Sequence, residues 1–110
     1  MNVRKTDDFL ADLERQFDWY IANAGWEVAD HYLDSVQATC QLLGWQPGLG
    51  PRGGFAHPRL RDWRFFPAFR PFRKHILFYE IVSGEVVMRR AMHGHRDLPQ
   101  RLLETPKSGR

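Results

Sequence analysis

Residues 75–97 read HILFYEIVSGEVVMRRAMHGHRD, and the change of character along them sets the fold. His75 to Val82 is a nearly unbroken apolar run and Glu85 to His93 mixes apolar with basic residues, so each has the composition and length of a strand. Ser83-Gly84 separates them by two residues, the spacing of a tight hairpin in which glycine takes a positive φ. Strand side chains alternate between faces. Val86, Met88, Arg90 and Met92 therefore share one face, and Val87, Arg89, Ala91 and His93 the other. The first set is the more apolar and is expected to meet the core, leaving Arg89 and His93 on an open face. Whether the basic ending is a nuclease site, a docking surface or only the wet side of a sheet is the question this stretch poses.

Upstream, the pattern is helical. Phe9, Leu13, Phe17, Tyr20, Ile21 and Ala24 form one stripe with a 3.6-residue period, and Ala29, Tyr32, Leu33, Val36, Cys40 and Leu43 form a second. Thr6, Asp7 and Asp8 supply capping oxygens and negative charge at the first helix start, Asn23-Ala24-Gly25 breaks it, and Gly44 is the expected cap of the second. Two helices joined by so tight a turn predict an antiparallel hairpin lying on the sheet. Between hairpin and sheet, residues 46–58 carry three prolines and four glycines and read as a loop. No Gly-Lys-Ser/Thr follows and no strand precedes it, which argues against a phosphate cradle. A further strand is expected from Leu60 to Phe66, linked onward by Pro67-Ala68-Phe69-Arg70-Pro71. Val3-Arg4-Lys5 is a candidate short first strand, Leu98 to Glu104 one or two helical turns, and Thr105 to Arg110 a frayed tail.

The chain of 110 residues is 43% hydrophobic and 14% aromatic, enough for one core, so a single domain over residues 1–110 is expected. No apolar run is long enough to span a membrane and the first eight residues lack a signal-peptide core, which predicts a cytoplasmic protein. Cys40 has no partner for a disulfide and lies on an apolar stripe, so it reads as core. The formal charge of +3 conceals a division: residues 1–50 hold three Lys/Arg against eight Asp/Glu, or −5, and residues 51–110 hold thirteen against five, or +8. The basic half suits an acidic partner, nucleic acid or protein. Trp63, Phe65, Phe66, Phe69 and Phe72 lie among its arginines, a mixture found on nucleic-acid stacking surfaces as well as in cores. Trp63 and Phe65 are expected to pack on the helices, Phe69 and Phe72 to be exposed.

The order helix, helix, loop and antiparallel strands resembles the RelE/ParE superfamily of toxins from type II toxin–antitoxin systems. The resemblance rests on Leu60-Arg61, on the apolar strand Ile76 to Ile81, on Gly84, on Val86 to Met92, and on His93-Gly94-His95-Arg96-Asp97. Asp12-Leu13, Tyr20-Ile21 and Ala29 with Tyr32-Leu33 extend it into the helices. It implies an α+β fold, a helical hairpin on a mainly antiparallel sheet of three or four strands with a short C-terminal helix. It also implies a cognate antitoxin and no cofactor. Two activities divide the superfamily: ribosome-dependent cleavage of mRNA, and poisoning of DNA gyrase by ParE-like members that perform no chemistry.

Cleavage of RNA needs a base at the 2′-oxygen, an acid at the leaving oxygen and cations around the phosphate. Cations are plentiful in Arg61, Arg64, Arg73, Lys74, Arg89 and Arg96. The tyrosine that RelE-like nucleases place six residues beyond the arginine matching Arg96 is here Leu102, and the chain ends Lys107-Ser108-Gly109-Arg110 where some relatives end His-Tyr. His75, His93 or His95 could stand in as acid; a nuclease would then use His75 or His93 with Arg61, Arg73 and Arg96. The resemblance favours the ParE-like branch, with Arg61, Arg64, Arg73, Lys74, Arg89, His93 and Arg96 contacting antitoxin or target. His93 and His95 lack a third ligand, so no metal is expected.

Overall fold

The computed structural model describes residues 1–94 and 98–106. In chain order the elements are β1 (Asn2–Lys5), α1 (Asp7–Ala24), α2 (Trp26–Trp45), a 3-10 turn at Pro58–Leu60, β2 (Arg64–Pro67), β3 (His75–Val82), β4 (Glu85–His93) and α3 (Gln100–Leu103). The sheet runs β1-β4-β3-β2. β1 lies parallel to β4, and the other pairings are antiparallel. The architecture is the expected helical hairpin on a mostly antiparallel sheet, closed by a short helix. The expected tail lies largely outside the described residues, as do His95, Arg96 and Asp97 of the ending quoted above.

Local chemistry accounts for most element ends. Thr6 caps α1 by accepting a hydrogen bond from the Phe9 amide at 3.1 Å, and its hydroxyl lies 3.0 Å from the Met88 carbonyl, tying the helix start to β4. Gly25 alone joins the helices, with φ at +93°, a backbone region open to glycine. Ser83 as well as Gly84 takes a positive φ in the β3–β4 turn, 49° and 78°, the arrangement of a two-residue hairpin. Gly44 is not the cap: α2 continues to Trp45 and the cap is Gln46. A Cβ on Gly44 would stand 3.0 Å from Val3 and 3.1 Å from the Met1 carbonyl, so the glycine lets β1 approach the helix.

β4 departs from the expected alternation at one point. Phe78 pairs with Arg90 and Tyr79 with Met88, which leaves Arg89 as an extra residue in a β-bulge. Val86 and Met88 face the helices as expected, but the inserted residue exchanges the faces beyond it. Ala91 joins Phe9, Leu13, Tyr32, Val36 and Leu77 in the core beneath the hairpin, whereas Met92 joins a second cluster on the opposite face. His93 correspondingly turns to the helix side, where its ring lies 4.7 Å from His75. It does not share an open face with Arg89.

Nor is the second face wet. Leu60, Trp63, Ile76, Phe78, Met92 and Leu102 form a buried cluster there, with Phe65 packed against it. Trp63 and Phe65 thus pack on the face away from α1 and α2, in the cluster that includes Leu102 of α3. The expected strand from Leu60 to Phe66 is shorter at its start, because Pro58 opens a 3-10 turn and the Trp63 amide bonds the Leu60 carbonyl at 3.1 Å. That turn carries Leu60 over the sheet. Cys40 is buried in the first core, and burial pushes its thiol up to about 11.

The loop from Gln46 onward is anchored by Tyr79, whose hydroxyl donates to the Pro47 carbonyl at 2.7 Å and accepts from the Gly50 amide at 2.9 Å. A Cβ on Gly50 would lie 2.5 Å from the Phe65 carbonyl and 2.7 Å from that hydroxyl, whereas one on Gly48 meets nothing within 4 Å. Gly50→Ala should therefore cost about 1–3 kcal/mol in urea unfolding, and Gly48→Ala less than about 0.5 kcal/mol. Equal effects at the two positions would contradict this account of the loop.

Candidate functional site

The segment between β2 and β3 is held from below by α2. Ser35 donates to the Phe69 carbonyl at 2.8 Å, and the Phe69 amide donates to Thr39 Oγ1 at 3.1 Å. Phe72, expected at the surface, is 6% exposed and sits edge-on to Tyr20, Tyr32 and His31. Phe69 stays at the surface as expected. With Phe72 as a plug, Arg70, Arg73 and Lys74 are left exposed around it. They rim a cleft of about 350 Å³, lined also by Tyr20, His75 and His93. A smaller pocket of about 200 Å³, lined by Phe66, Phe69 and the same Arg70 and Arg73, adjoins it.

His75 forms the floor. It is 2% exposed, and its Nε2 lies 2.8 Å from the Tyr20 hydroxyl. Burial pushes its imidazole down to about 4, helped by the neighbouring His93, because a buried ring resists protonation. Burial pushes the Tyr20 phenol up. At neutral pH the floor is an uncharged, hydrogen-bonded pair beneath a cationic rim, suited to holding an anion. A neutral His75 has no extra proton to hand to a leaving group.

The other residues singled out from sequence are dispersed. Arg64 donates to the Gly50 carbonyl at 2.8 Å, bracing the loop. Arg89 is paired with Glu80, its Nε donating to Oε1 at 2.9 Å. Arg61 is exposed beside the 3-10 turn. Arg96 lies outside the described residues. The structure thus gathers Arg73, Lys74, His75 and His93 in one cleft, and separates them from Arg64 and Arg89. Sequence reasoning missed Tyr20 and Arg70 there. Tyr20 read as part of a helical stripe, but its polar end opposite the strand histidines was the available signal; Arg70 was hidden in a linker. Leu102 is 3% exposed within the second apolar cluster, so the position where a nuclease of the superfamily would carry its tyrosine is part of the core.

The His75 shift has a consequence for stability. Its pKa of about 4 in the fold lies below the value of about 6.5 expected unfolded, so the unfolded chain takes up the proton first. Stability is complete above about 6.5, declines as pH falls towards about 4, and loses nothing further from this group below that. His75→Gln should flatten that part of a plot of urea midpoint against pH. An unchanged slope in the variant would contradict the assignment.

Comparison with known proteins agrees with this architecture. The family described as "ParE toxin of type II toxin-antitoxin system, parDE" matches residues 3–98. Among solved structures, "Chromosomal ParDE TA system from P. aeruginosa" has the same fold with a TM-score of 0.71 and 18% identity, covering 86% of this chain and 97% of that one. No curated protein sequence gives a significant match. Among the described residues no helix is long and apolar enough to cross a membrane. With the match extending from β1 through α1, α2 and the whole sheet, the chain belongs to the ParE toxin family of type II toxin–antitoxin systems.

Proposed function

We propose that the protein arrests growth by poisoning DNA gyrase, performs no chemistry itself, and is neutralised in the cytoplasm by a cognate antitoxin. The observation that carries this reading is the family match over residues 3–98 combined with the burial of Leu102. Membership in the ParE branch supports gyrase as the target, and a core leucine at the position of the nuclease acid supports the absence of cleavage. The basic half is the surface for an acidic antitoxin segment or for the target. Arg61, Arg73, Lys74 and His93 are exposed and available for such contacts. Arg64 and Arg89 would have to engage a partner while keeping their internal bonds, and Arg96 remains part of the proposed set. Complementary charge would accelerate encounter and make binding sensitive to salt.

The test is a supercoiling assay with purified toxin and gyrase, run beside sequencing of transcript ends after expression in cells. Trapped cleavage complexes or lost supercoiling, with transcripts intact and activity restored by the antitoxin, are the expected results. Codon-phased mRNA cleavage with gyrase unaffected would replace this reading with the RelE-like endonuclease.

A further inference from the structure

Arg70 and Arg73 belong to two adjoining pockets at once. On one side is the cleft of about 350 Å³ with Tyr20 and His93, on the other the pocket of about 200 Å³ with Phe66 and Phe69. None of the ion pairs among the described residues involves Arg70, Arg73 or Lys74. Three cations within five positions therefore stand without an ion-pair partner among the described residues, and Arg70 and Arg73 lie between two hollows that are each lined by rings. His93 and Phe69 are exposed and Tyr20 and Phe66 partly so. The Tyr20–His75 hydrogen bond leaves the larger floor without need of a polar ligand group.

We propose that this pair of pockets binds single-stranded nucleic acid, with Arg70 and Arg73 holding a backbone phosphate while the bases on either side enter the two pockets. Guanidinium groups suit phosphate through paired, charge-assisted hydrogen bonds. Rings flanking a basic ridge suit successive bases, because every base offers a π face. An acidic peptide would satisfy the cations, but its carboxylates have no use for a ring-lined hollow on each side of them. The arrangement is separate from the gyrase reading: it describes a contact with the polynucleotide itself, and an antitoxin covering Arg73 and Lys74 would compete with it.

The experiment uses the full chain and fluorescence anisotropy with labelled oligodeoxythymidine, oligouridine and a glutamate-rich peptide as probes. At least one oligonucleotide should bind, with affinity falling steeply between about 50 and 200 mM salt. Removing both Arg70 and Arg73 with alanine should weaken it by at least tenfold and lower the salt slope by about one, the share of the single phosphate they hold. Phe69→Ala and His93→Ala should each weaken it by about fivefold or more. The same removal of Arg52 and Arg59, which line neither pocket, is the control for loss of charge and should cost less than about threefold. Preference for either sugar supports the proposal. Failure of both oligonucleotides to bind, equal losses in the control, or peptide binding alone overturns it. A chain that binds oligonucleotide but leaves gyrase untouched supports this proposal while removing the gyrase reading; one that poisons gyrase but binds neither oligonucleotide does the reverse.

Discussion

Asp12 and Arg90 form an ion pair with both residues at most 2% exposed, and three parts of the chain meet on it. Arg90 Nε and Nη2 donate to the two carboxylate oxygens of Asp12 at 2.7 and 3.0 Å. The Ala91 amide donates to the same carboxylate at 3.0 Å. Arg90 Nη1 turns the other way, donating to the carbonyls of Arg101 and Leu102 at 3.1 and 3.2 Å and to that of Glu104. One guanidinium thus joins α1, β4 and the C-terminal segment. Buried charges of this kind cost solvation and are tolerated only when almost every hydrogen-bonding position is filled. Among the described residues no buried side-chain nitrogen or oxygen lacks a partner.

The pair also sustains the bulge, and through it the site. Past Met88, β4 has no pairing with β1, so its outer edge needs other partners, and Asp12 supplies one at Ala91. Thr6 supplies another at the bulge itself, its hydroxyl 3.3 Å from the Arg89 carbonyl. With the extra residue held in place, His93 turns towards His75 and Tyr20, forming one wall of the cationic cleft. Without the bulge, alternation would send His93 to the opposite face. A structural ion pair distant in sequence from the loop cations thereby decides which ring accompanies them.

How much of this was legible depends on whether a feature is local. The bounds of β3 and β4 were readable because a two-residue Ser83-Gly84 turn separates two runs of strand composition. The helices were readable from their apolar period, and β1 faintly from three residues. The bulge was not, because Val86 to His93 has a plausible apolar face under either register. What decides it is Asp12, 78 residues from Arg90, and a carboxylate on an otherwise polar helix face carries no mark of that partner. Phe72 misled for a related reason: a phenylalanine between a proline and an arginine looks exposed until α2 supplies Ser35 and Thr39 to hold its loop down. Among the site residues, the cations were visible as composition. Their division into loop braces, a Glu80 partner and a cleft rim required the fold.

The dependence on the buried pair can be measured by a double-mutant cycle of Asp12→Ala and Arg90→Met in urea unfolding. Each single substitution strands a buried charge and should cost about 3–5 kcal/mol. The double variant should lose less than the sum of the two, with a coupling energy of about 1–3 kcal/mol. Single losses below about 1 kcal/mol, or strictly additive ones, would show that α1, β4 and the C-terminal segment do not meet on this interaction.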